Sequence, residues 1–308
     1  MIHHPALTAA DQHHLADFHR LLDLIHARTT GVALSYHTGV YLTGRPGTSK
    51  TWTVERALED SGVPYIIKNA RLSPMGLWKT LKNHPEHVVV LDDLGSLIQE
   101  KGDLPILLAA LGGHAGQPRT VTYTTLDQDH SFDFLGGVIA ISNLPLRRDP
   151  LTDALASRTQ TYEHSPSDEM IQAFMRQEAL RGYKNLDVLE CWEVVQFIVG
   201  ECRESDYRLD LRYLRRGWED RRLVKDGESR CAWQDLIRSS LKQIYASQME
   251  GAPSTRAEKV TWKASVAADL FAQFPDRAAR DREWERITGE SPSSLYRHHQ
   301  RAKALGYE

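Results

Sequence analysis

The sequence contains few cysteines and no long apolar run. Cys191, Cys202 and Cys231 are an odd number without the close pairs typical of zinc sites or disulfide frameworks. No apolar run approaches the roughly 20 residues of a membrane-spanning helix. The N-terminus lacks the basic and apolar regions of a signal peptide. These absences predict a cytoplasmic chain with reduced thiols, no zinc site and no membrane partner.

The sequence also lacks a strong net charge. It has 38 lysines and arginines against 41 aspartates and glutamates, so the formal net charge is -3. This balance excludes a protein that coats nucleic acid with its whole surface, but it is compatible with a local basic surface. The 14 histidines have no acidic or cysteine partners at fixed spacing, so we interpret them as solvated polar residues. A length of 308 residues with 41% hydrophobic residues fits two or three domains better than one.

The first half of the chain alternates between helical and strand patterns. Residues 9–28 have helical spacing, with Asp11 as the expected cap. Apolar runs predict strands at 39–43, 63–67, 88–91, 119–125 and 138–141. Helical patterns lie between them at 50–60, 74–82 and 104–111. Because strands that alternate with helices form parallel sheets, we predict an α/β fold with a mostly parallel sheet.

The second half of the chain has only helical patterns. Strand signals stop after Pro150, and residues 167–246 predict several helices. Residues 251–255 have the composition of a linker, and residues 257–306 predict a further small helical unit. The predicted domains are an N-terminal helix (1–30), an α/β core (31–164), a helical domain (165–250) and a C-terminal helical domain (251–308).

A glycine-containing loop follows the first predicted strand and opens the next helix. Residues 44–51, GRPGTSKT, match the phosphate-binding pattern G-x-x-x-x-G-K-[ST] at every fixed position except Ser49, in the strand–loop–helix context that this pattern requires. The backbone N–H groups of such a loop cradle phosphate oxygens at the positive end of a helix. Lys50 would contact the β- and γ-phosphates of ATP, and Thr51 would hold Mg²⁺. The predicted nucleotide-binding residues are Gly44, Pro46, Gly47, Thr48, Ser49, Lys50 and Thr51.

Ser49 departs from this pattern, because it stands where the second glycine belongs. A small residue fits there only if the backbone conformation is not restricted to glycine. We expect serine at this position to affect the affinity for nucleotide and not the fold.

Two carboxylates follow the apolar strand at 88–91. Asp92 would bind Mg²⁺, directly or through water, and Asp93 would orient or deprotonate the attacking water. A strand-end pair that enters a turn is the alternative. About 40 residues after a phosphate-binding loop, the order fits a parallel sheet that brings both strand ends to one edge.

These motifs resemble those of the AAA+ ATPases over roughly residues 30–245. The arrangement is similar to that of single-module AAA+ proteins of phages and mobile elements. The resemblance implies ATP and Mg²⁺ as cofactors, and it identifies the helical domain as a lid. Residues 138–143 are similar to the sensor 1 strand, which implies that Asn143 contacts the γ-phosphate or the attacking water; an asparagine in a turn is the alternative. The class commonly has Asp-Glu in the acidic pair, so the shorter Asp93 bears on the rate of hydrolysis.

The same resemblance assigns two arginines. Residues 153–158 are similar to the segment with the arginine finger, which implies that Arg158 reaches the γ-phosphate of a neighbouring subunit. It also implies a ring or spiral homo-oligomer, hexamer-like in number. Residues 209–212 resemble the sensor 2 region, so Arg212 would contact phosphate within its own subunit. Ordinary surface arginines are the alternative in both cases. Nearby arginines compete for the second role: Arg208, Arg215 and Arg216.

The C-terminal unit resembles a helix-turn-helix, with a glycine turn at 288–291 before its last helix. Base edges are read near the N-terminal end of such a helix. The predicted DNA-binding residues are Ser293, Ser294, Arg297 and Arg301. A small helical cap that packs on the lid or on a neighbouring subunit is the alternative, because residues 255–308 are only weakly basic.

Three functions are compatible with these motifs. The first is an ATP-hydrolysing, oligomeric protein that remodels or loads a complex on double-stranded DNA, with a protein client. The second is a protein-remodelling ATPase that does not bind DNA. The third is a nucleotide-dependent scaffold that scarcely hydrolyses ATP, as the departures at Ser49 and Asp93 would permit.

Overall fold

The structure is a computed structural model of the 308-residue chain. It describes residues 5–69, 72–92, 104–124, 129–143, 150–250, 256–288 and 291–304. Among the features predicted from the sequence, Asp93 and the linker at 251–255 lie outside the described residues, as do residues 289 and 290 of the glycine turn at 288–291.

A parallel sheet of five strands forms the core. Its strands are β1 (Gly39–Thr43), β2 (Tyr65–Lys68), β3 (Val88–Asp92), β6 (Val138–Ser142) and β7 (Gln160–Glu163). The other two strands, β4 (Arg119–Thr124) and β5 (Asp129–Phe134), form an antiparallel hairpin. The sheet order is β2-β3-β6-β1-β7. The predicted α/β fold class with a parallel sheet is therefore confirmed.

The register of the sheet brings three strand ends to one edge. Thr43 at the end of β1 pairs with Ser142 of β6, and Asp92 at the end of β3 pairs with Ile141 of β6. All of these strands run in the same direction, so the loop after β1, Asp92 and the residue after β6 lie along the same edge. This is the edge at which ligands bind in open parallel sheets.

Helices cover both faces of the sheet. In chain order, the helices of the described residues are α1 (Ala9–Ala33), α2 (Lys50–Ser61), α3 (Pro74–Asn83), α4 (Leu104–Leu111), α5 (Pro150–Arg158), α6 (Asp168–Ala179), α7 (Val188–Glu204), α8 (Leu211–Lys225), α9 (Trp233–Glu250), α10 (Arg256–Gln273), α11 (Arg277–Thr288) and α12 (Pro292–Ala304). Side chains of α1 and α2 pack on one face of the sheet, and those of α3 and α4 pack on the other. Burial on both faces explains why β1, β3 and β6 are continuous apolar runs.

Two strands were missed in the sequence. The prediction that strands stop after Pro150 was wrong, because β7 pairs with β1 at the edge of the sheet. Its sequence QTYE is short and polar because an edge strand is paired on only one side. The hairpin strand β5, DHSFDF, was missed because only its aromatic positions face the core. Phe134 is fully buried there, and Phe132 contacts Trp78 edge-to-face at 5.5 Å between ring centroids.

The N-terminal cap of α1 also differs from the prediction. Thr8 is the cap, and its hydroxyl accepts a hydrogen bond from the backbone N–H of Asp11. The Asp11 carboxylate accepts in return from the backbone N–H of Thr8, which completes a capping box. Asp11 also forms an ion pair with Arg176 of α6 at 2.7 Å. Helix α1, which packs on the sheet, is therefore also bound to α6.

The described chain divides into two compact units, one up to Ile237 and the other from Arg238 onward. Helices α6 to α8 belong to the same unit as the sheet. In this unit, α8 packs closely on α7 at Gly217, where an added Cβ would lie 2.9 Å from Val194 and 3.0 Å from Ile198. The four-domain division made from the sequence stays a prediction.

The second unit contains the helices α10, α11 and α12. Their common core is formed by Ala267, Leu270, Trp284 and Leu295. Helices α10 and α12 also approach closely through the buried Ala264 and Ala302. Over the described part of both units, no helix has the length and apolar composition needed to cross a membrane.

We predict that replacement of Gly217 by valine destabilises the first unit, because the new side chain overlaps Val194 and Ile198. Overpacking of this kind costs about 1–3 kcal/mol. The matched control is Gly200→Val in α7, where an added Cβ meets nothing within 4 Å. Thermal unfolding should show a lower midpoint for the first variant alone. Equal midpoints would contradict close α7–α8 packing.

Candidate nucleotide-binding site

The side chain of Lys50 lies at the centre of the candidate site. It begins α2 directly after the loop at 44–49 and is only 6% exposed. Its ammonium group donates hydrogen bonds to the carbonyl oxygens of Gly44 at 2.6 Å and Arg45 at 2.7 Å. It also donates to Oδ1 of Asn143, at 3.3 Å. The lysine therefore links the loop after β1 to the residue after β6.

Thr51 and Asp92 form the second link across the edge of the sheet. The Thr51 hydroxyl donates to Oδ2 of Asp92 at 3.0 Å. Asp93, the predicted catalytic carboxylate, lies outside the described residues. Among the residues that the structure describes, no group of three or more His, Cys, Asp or Glu forms a metal site. Thr51 and Asp92 offer two hard oxygen ligands that could hold Mg²⁺ together with nucleotide and water oxygens.

The loop backbone has three residues with positive φ. Gly44 has φ +142, and a Cβ there would overlap the carbonyl oxygen of His164. Gly47 has φ +67, and a Cβ there would overlap the carboxylate of Asp210. Ser49 has φ 72 and ψ 13, which is the left-handed region that favours glycine. A residue with a Cβ costs about 1–2 kcal/mol in this region, so Ser49 holds a strained conformation.

Groups from outside the loop hold its carbonyl oxygens. The backbone N–H of Leu211, the first residue of α8, donates to the carbonyl of Gly47 at 2.9 Å. Ring nitrogen Nε2 of His164 lies 2.8 Å from the carbonyl of Thr48. In the described part of the chain, the backbone N–H groups of residues 47–51 donate to no acceptor. These amides, at the start of a helix, are available to an anion.

The charges around the loop come from the edge of the sheet and from helices α6 and α8. Burial lowers the pKa of Lys50 to about 8; Asp92 and Asp210 act against this shift, and Arg212 and Arg45 add to it. Lys50 therefore remains mainly protonated at neutral pH. Arg45 makes an ion pair with Asp168 of α6 at 2.6 Å. The loop is thus bound electrostatically to the first turn of α6.

His164 is a buried neutral base beside the loop. Its side chain is fully buried, and burial lowers its pKa to about 4, with the charges of Lys50 and Arg45 adding to the shift. Because the carbonyl of Thr48 can only accept, Nε2 must carry the hydrogen. Sequence analysis missed this residue, since a lone histidine after an unrecognised strand gave no signal.

A cavity of about 830 Å³ adjoins the loop at Ser49. Helices α1, α2, α6 and α8 line it. Its wall next to the loop includes Trp52, whose side chain is 61% exposed, and Arg215. Farther along lie Trp218 and Tyr183, whose rings stack 5.0 Å apart. The lining combines these aromatic rings with several charged side chains, so a cavity of this kind beside loop amides that have no described acceptor is a candidate for the nucleoside half of a nucleotide.

The structure separates the two predicted arginines. Arg212 lies in the first turn of α8, is 58% exposed, and has a nitrogen 4.0 Å from the carboxylate of Asp210. Its charge acts on Lys50, so the two lie in one electrostatic neighbourhood. Arg158 ends α5 at the opposite edge of the sheet, where its carbonyl accepts from the hydroxyl of Thr38, the residue before β1. Arg158 is exposed, and it lies away from the loop of its own chain.

The residues predicted to bind DNA divide into two groups. Ser293, Arg297 and Arg301 are exposed along one side of α12, at the spacing of one helix face. The prediction for Ser294 conflicts with its position: it is 4% exposed, its hydroxyl accepts from Trp284 Nε1 at 2.9 Å, and it donates to the carbonyl of Ser291. Ser294 therefore links Ser291, the residue before α12, to the buried Trp284 of α11.

The lowered pKa of His164 predicts that the free energy of unfolding depends on pH. Its pKa is about 4 in the folded chain and 6.5 unperturbed, so between these values the unfolded chain binds a proton that the folded chain does not. The free energy of unfolding should fall as pH falls from 6.5 to 4, by at most about 1.4 kcal/mol per pH unit from this group. Urea unfolding of wild type and His164→Gln isolates this contribution, because all other groups are shared. Parallel curves for the two chains would contradict a depressed pKa.

No family model and no curated protein matches this sequence. Among solved structures, the chain is similar to Drosophila ORC bound to DNA, with TM-score 0.44 and 15% identity over 99% of this chain and 88% of that one. It is also similar to a RuvB point mutant from Thermotoga maritima, with TM-score 0.46 and 13% identity over 91% of this chain and 84% of that one. At these scores and identities, neither likeness says anything about activity.

Proposed function

We propose that the chain binds and hydrolyses ATP. The observation that carries this proposal is the convergence of Lys50, Thr51, Asp92 and Asn143 at one edge of the parallel sheet. These side chains come from three separate strand ends and meet around a loop whose amides have no described acceptor. The AAA+ resemblance of the motifs assigns the same four residues to nucleotide chemistry.

Each residue has a role that follows from its chemistry. The loop amides and Lys50 would bind the phosphate oxygens, and Lys50 would exchange its bonds to the carbonyls of Gly44 and Arg45 for bonds to phosphate. Arg212 would add a second positive charge from the lid. Asn143 would orient the attacking water, and Asp93 would accept its proton. Mg²⁺, held at Thr51 and Asp92, would supply neutralisation of phosphate charge.

We further propose that hydrolysis requires a second copy of the chain. Arg158 lies at the sheet edge opposite the loop, so it can contact only the nucleotide of another copy. A guanidinium supplied in trans stabilises charge as it develops on the phosphate. This geometry supports a ring or spiral of subunits, with hexamer-like closure as the proposed form.

The proposed process is the remodelling or loading of a protein client on double-stranded DNA. Helix α12 supports it, because Arg297 and Arg301 are exposed one turn apart and neither makes an ion pair with a described residue. Guanidinium groups on one helix face are suited to phosphate and base-edge contacts. A protein remodeller without DNA, and a scaffold that scarcely hydrolyses, are the competing outcomes of the tests below.

We predict that Lys50→Ala weakens ATP binding about 10- to 100-fold, because a charge-assisted contact to phosphate contributes about 1.5–3 kcal/mol. Isothermal titration calorimetry with ATP and Mg²⁺ measures the dissociation constant. Lys79→Ala is the matched control, since Lys79 is exposed on α3, which packs on the face of the sheet opposite to α2. Unchanged affinity in Lys50→Ala would refute the site.

The same preparation tests turnover. ATPase rates measured with and without double-stranded DNA, at several protein concentrations, should rise with DNA and more than linearly with protein. A rate indifferent to DNA favours the remodeller without DNA. Tight ATP binding without turnover favours the scaffold.

We predict that Arg297→Ala and Arg301→Ala each weaken binding to double-stranded DNA of mixed sequence. Each lost phosphate contact should reduce the slope of log affinity against log salt by about 0.9. Fluorescence anisotropy at several salt concentrations measures both quantities. Arg282→Ala, at an exposed position of α11, is the matched control. If all three variants behave alike, α12 is not the DNA-binding helix.

A further inference from the structure

Two consecutive peptide planes of the phosphate-binding loop are fixed by donors from outside the loop. The carbonyl of Gly47 accepts from the backbone N–H of Leu211, and the carbonyl of Thr48 accepts from the ring of His164. In a planar trans peptide, the C=O and the next N–H point in opposite directions. Anchoring these two carbonyls outward therefore aims the N–H groups of Thr48 and Ser49 the other way, where they meet no described acceptor.

The peptide plane held by His164 joins Thr48 to Ser49, the residue with the left-handed backbone. Glycine adopts that conformation freely, whereas a serine tends to leave it. An external bond on the preceding carbonyl opposes this tendency, because Ser49 cannot relax without turning the peptide that His164 holds.

His164 also contacts the other end of the loop. Its backbone N–H donates to the carbonyl of Thr43 at 2.8 Å, and its own carbonyl lies against Gly44 so closely that no Cβ fits there. Phe18 and Tyr162 pack near its ring, with centroids 6.2 and 6.5 Å away. One buried residue thus contacts the loop where it begins and again four residues later.

We infer that His164 is a positioning residue for nucleotide binding: its Nε2–H group holds the Thr48–Ser49 peptide in the phosphate-binding orientation and so permits serine in place of the second glycine. The inference rests on the proposed ATP site. If the inference holds, the effect of replacing Ser49 depends on whether His164 is present. The direction of this dependence can be predicted for the stability of the chain and for its ATP affinity.

In the wild type, the strain at Ser49 is present before nucleotide arrives. Ser49→Gly should therefore raise the stability of the nucleotide-free chain and change ATP affinity less than about twofold. In His164→Phe, which keeps an aromatic ring but removes the donor, Ser49 can relax. The strain must then be restored on binding, so ATP affinity should fall about five- to tenfold, as expected for one lost hydrogen bond.

The decisive comparison adds Ser49→Gly to His164→Phe. The double variant should recover most of the lost ATP affinity and gain less stability than Ser49→Gly gains in the wild type. His164→Gln, whose amide can donate to the same carbonyl, should bind ATP within about threefold of the wild type. If His164 had only a packing role, Ser49→Gly would not restore ATP affinity in the His164→Phe chain, and its gain in stability would be the same in both backgrounds.

The experiment measures thermal unfolding without nucleotide and ATP binding by calorimetry for all five chains. Additive effects of the two substitutions in both measurements would overturn the inference. If His164→Phe does not fold, His164→Leu takes its place in the same comparison. If no chain binds ATP, the proposed function fails. The stability measurements then decide the loop-positioning role alone, since coupling there requires no ligand.

Discussion

The pairing of β1 with β6 on one side and β7 on the other brings together the polar residues that surround the loop at 44–51. Because all three strands run parallel, the loop after β1 is flanked by Asn143, which follows β6, and by His164, which follows β7. The next strand beyond β6 is β3, which places Asp92 within hydrogen-bonding distance of Thr51. A slip of one residue in either pairing would move these side chains by about 3.3 Å and separate them.

Helices α6 and α8 add contacts to the loop at 44–51. Lys50 at the start of α2 donates to the carbonyls of Gly44 and Arg45, and His164 after β7 donates to that of Thr48. The carbonyl of Gly47 needs a further donor. Leu211 provides one at the start of α8, and the ion pair between Arg45 and Asp168 holds the loop to α6. Since α1 also contacts α6 through Asp11 and Arg176, two ion pairs hold α6 to the rest of the first unit.

The features that could be predicted from the sequence are those with a local cause. The loop at 44–51, the buried run of β3 and the helix starts each depend on a few adjacent residues, and the structure has these elements at the expected places. The edge strand β7 and the hairpin strand β5 could not be predicted, because their stability comes from partners distant in the chain. His164 escaped for the same reason: its role depends on a carbonyl that lies 116 residues away in sequence.

Ser49 shows how local and distant causes combine. From the sequence, a serine in a glycine position is only a defect, and its backbone conformation is unknown. The structure shows that the left-handed conformation is kept although the residue disfavours it. Such strain persists only where the surroundings over-determine the conformation. Here the surroundings are the two anchored carbonyls on either side of Thr48 N–H, so the departure from the motif and the buried histidine have one common explanation.

The position of Arg158 extends this reasoning from one chain to several. The proposed phosphate site occupies one edge of the sheet, and Arg158 lies at the other, next to the start of β1. Five residues of strand separate the two edges, about 17 Å at the rise of an extended chain. No side-chain rotation closes that distance within one chain. If Arg158 takes part in hydrolysis, each copy must therefore bind its own nucleotide at the edge where β1 ends. It must present Arg158, at the edge where β1 begins, to the nucleotide of a neighbouring copy. A repeated head-to-tail contact of this kind generates a ring or a spiral rather than a two-fold dimer.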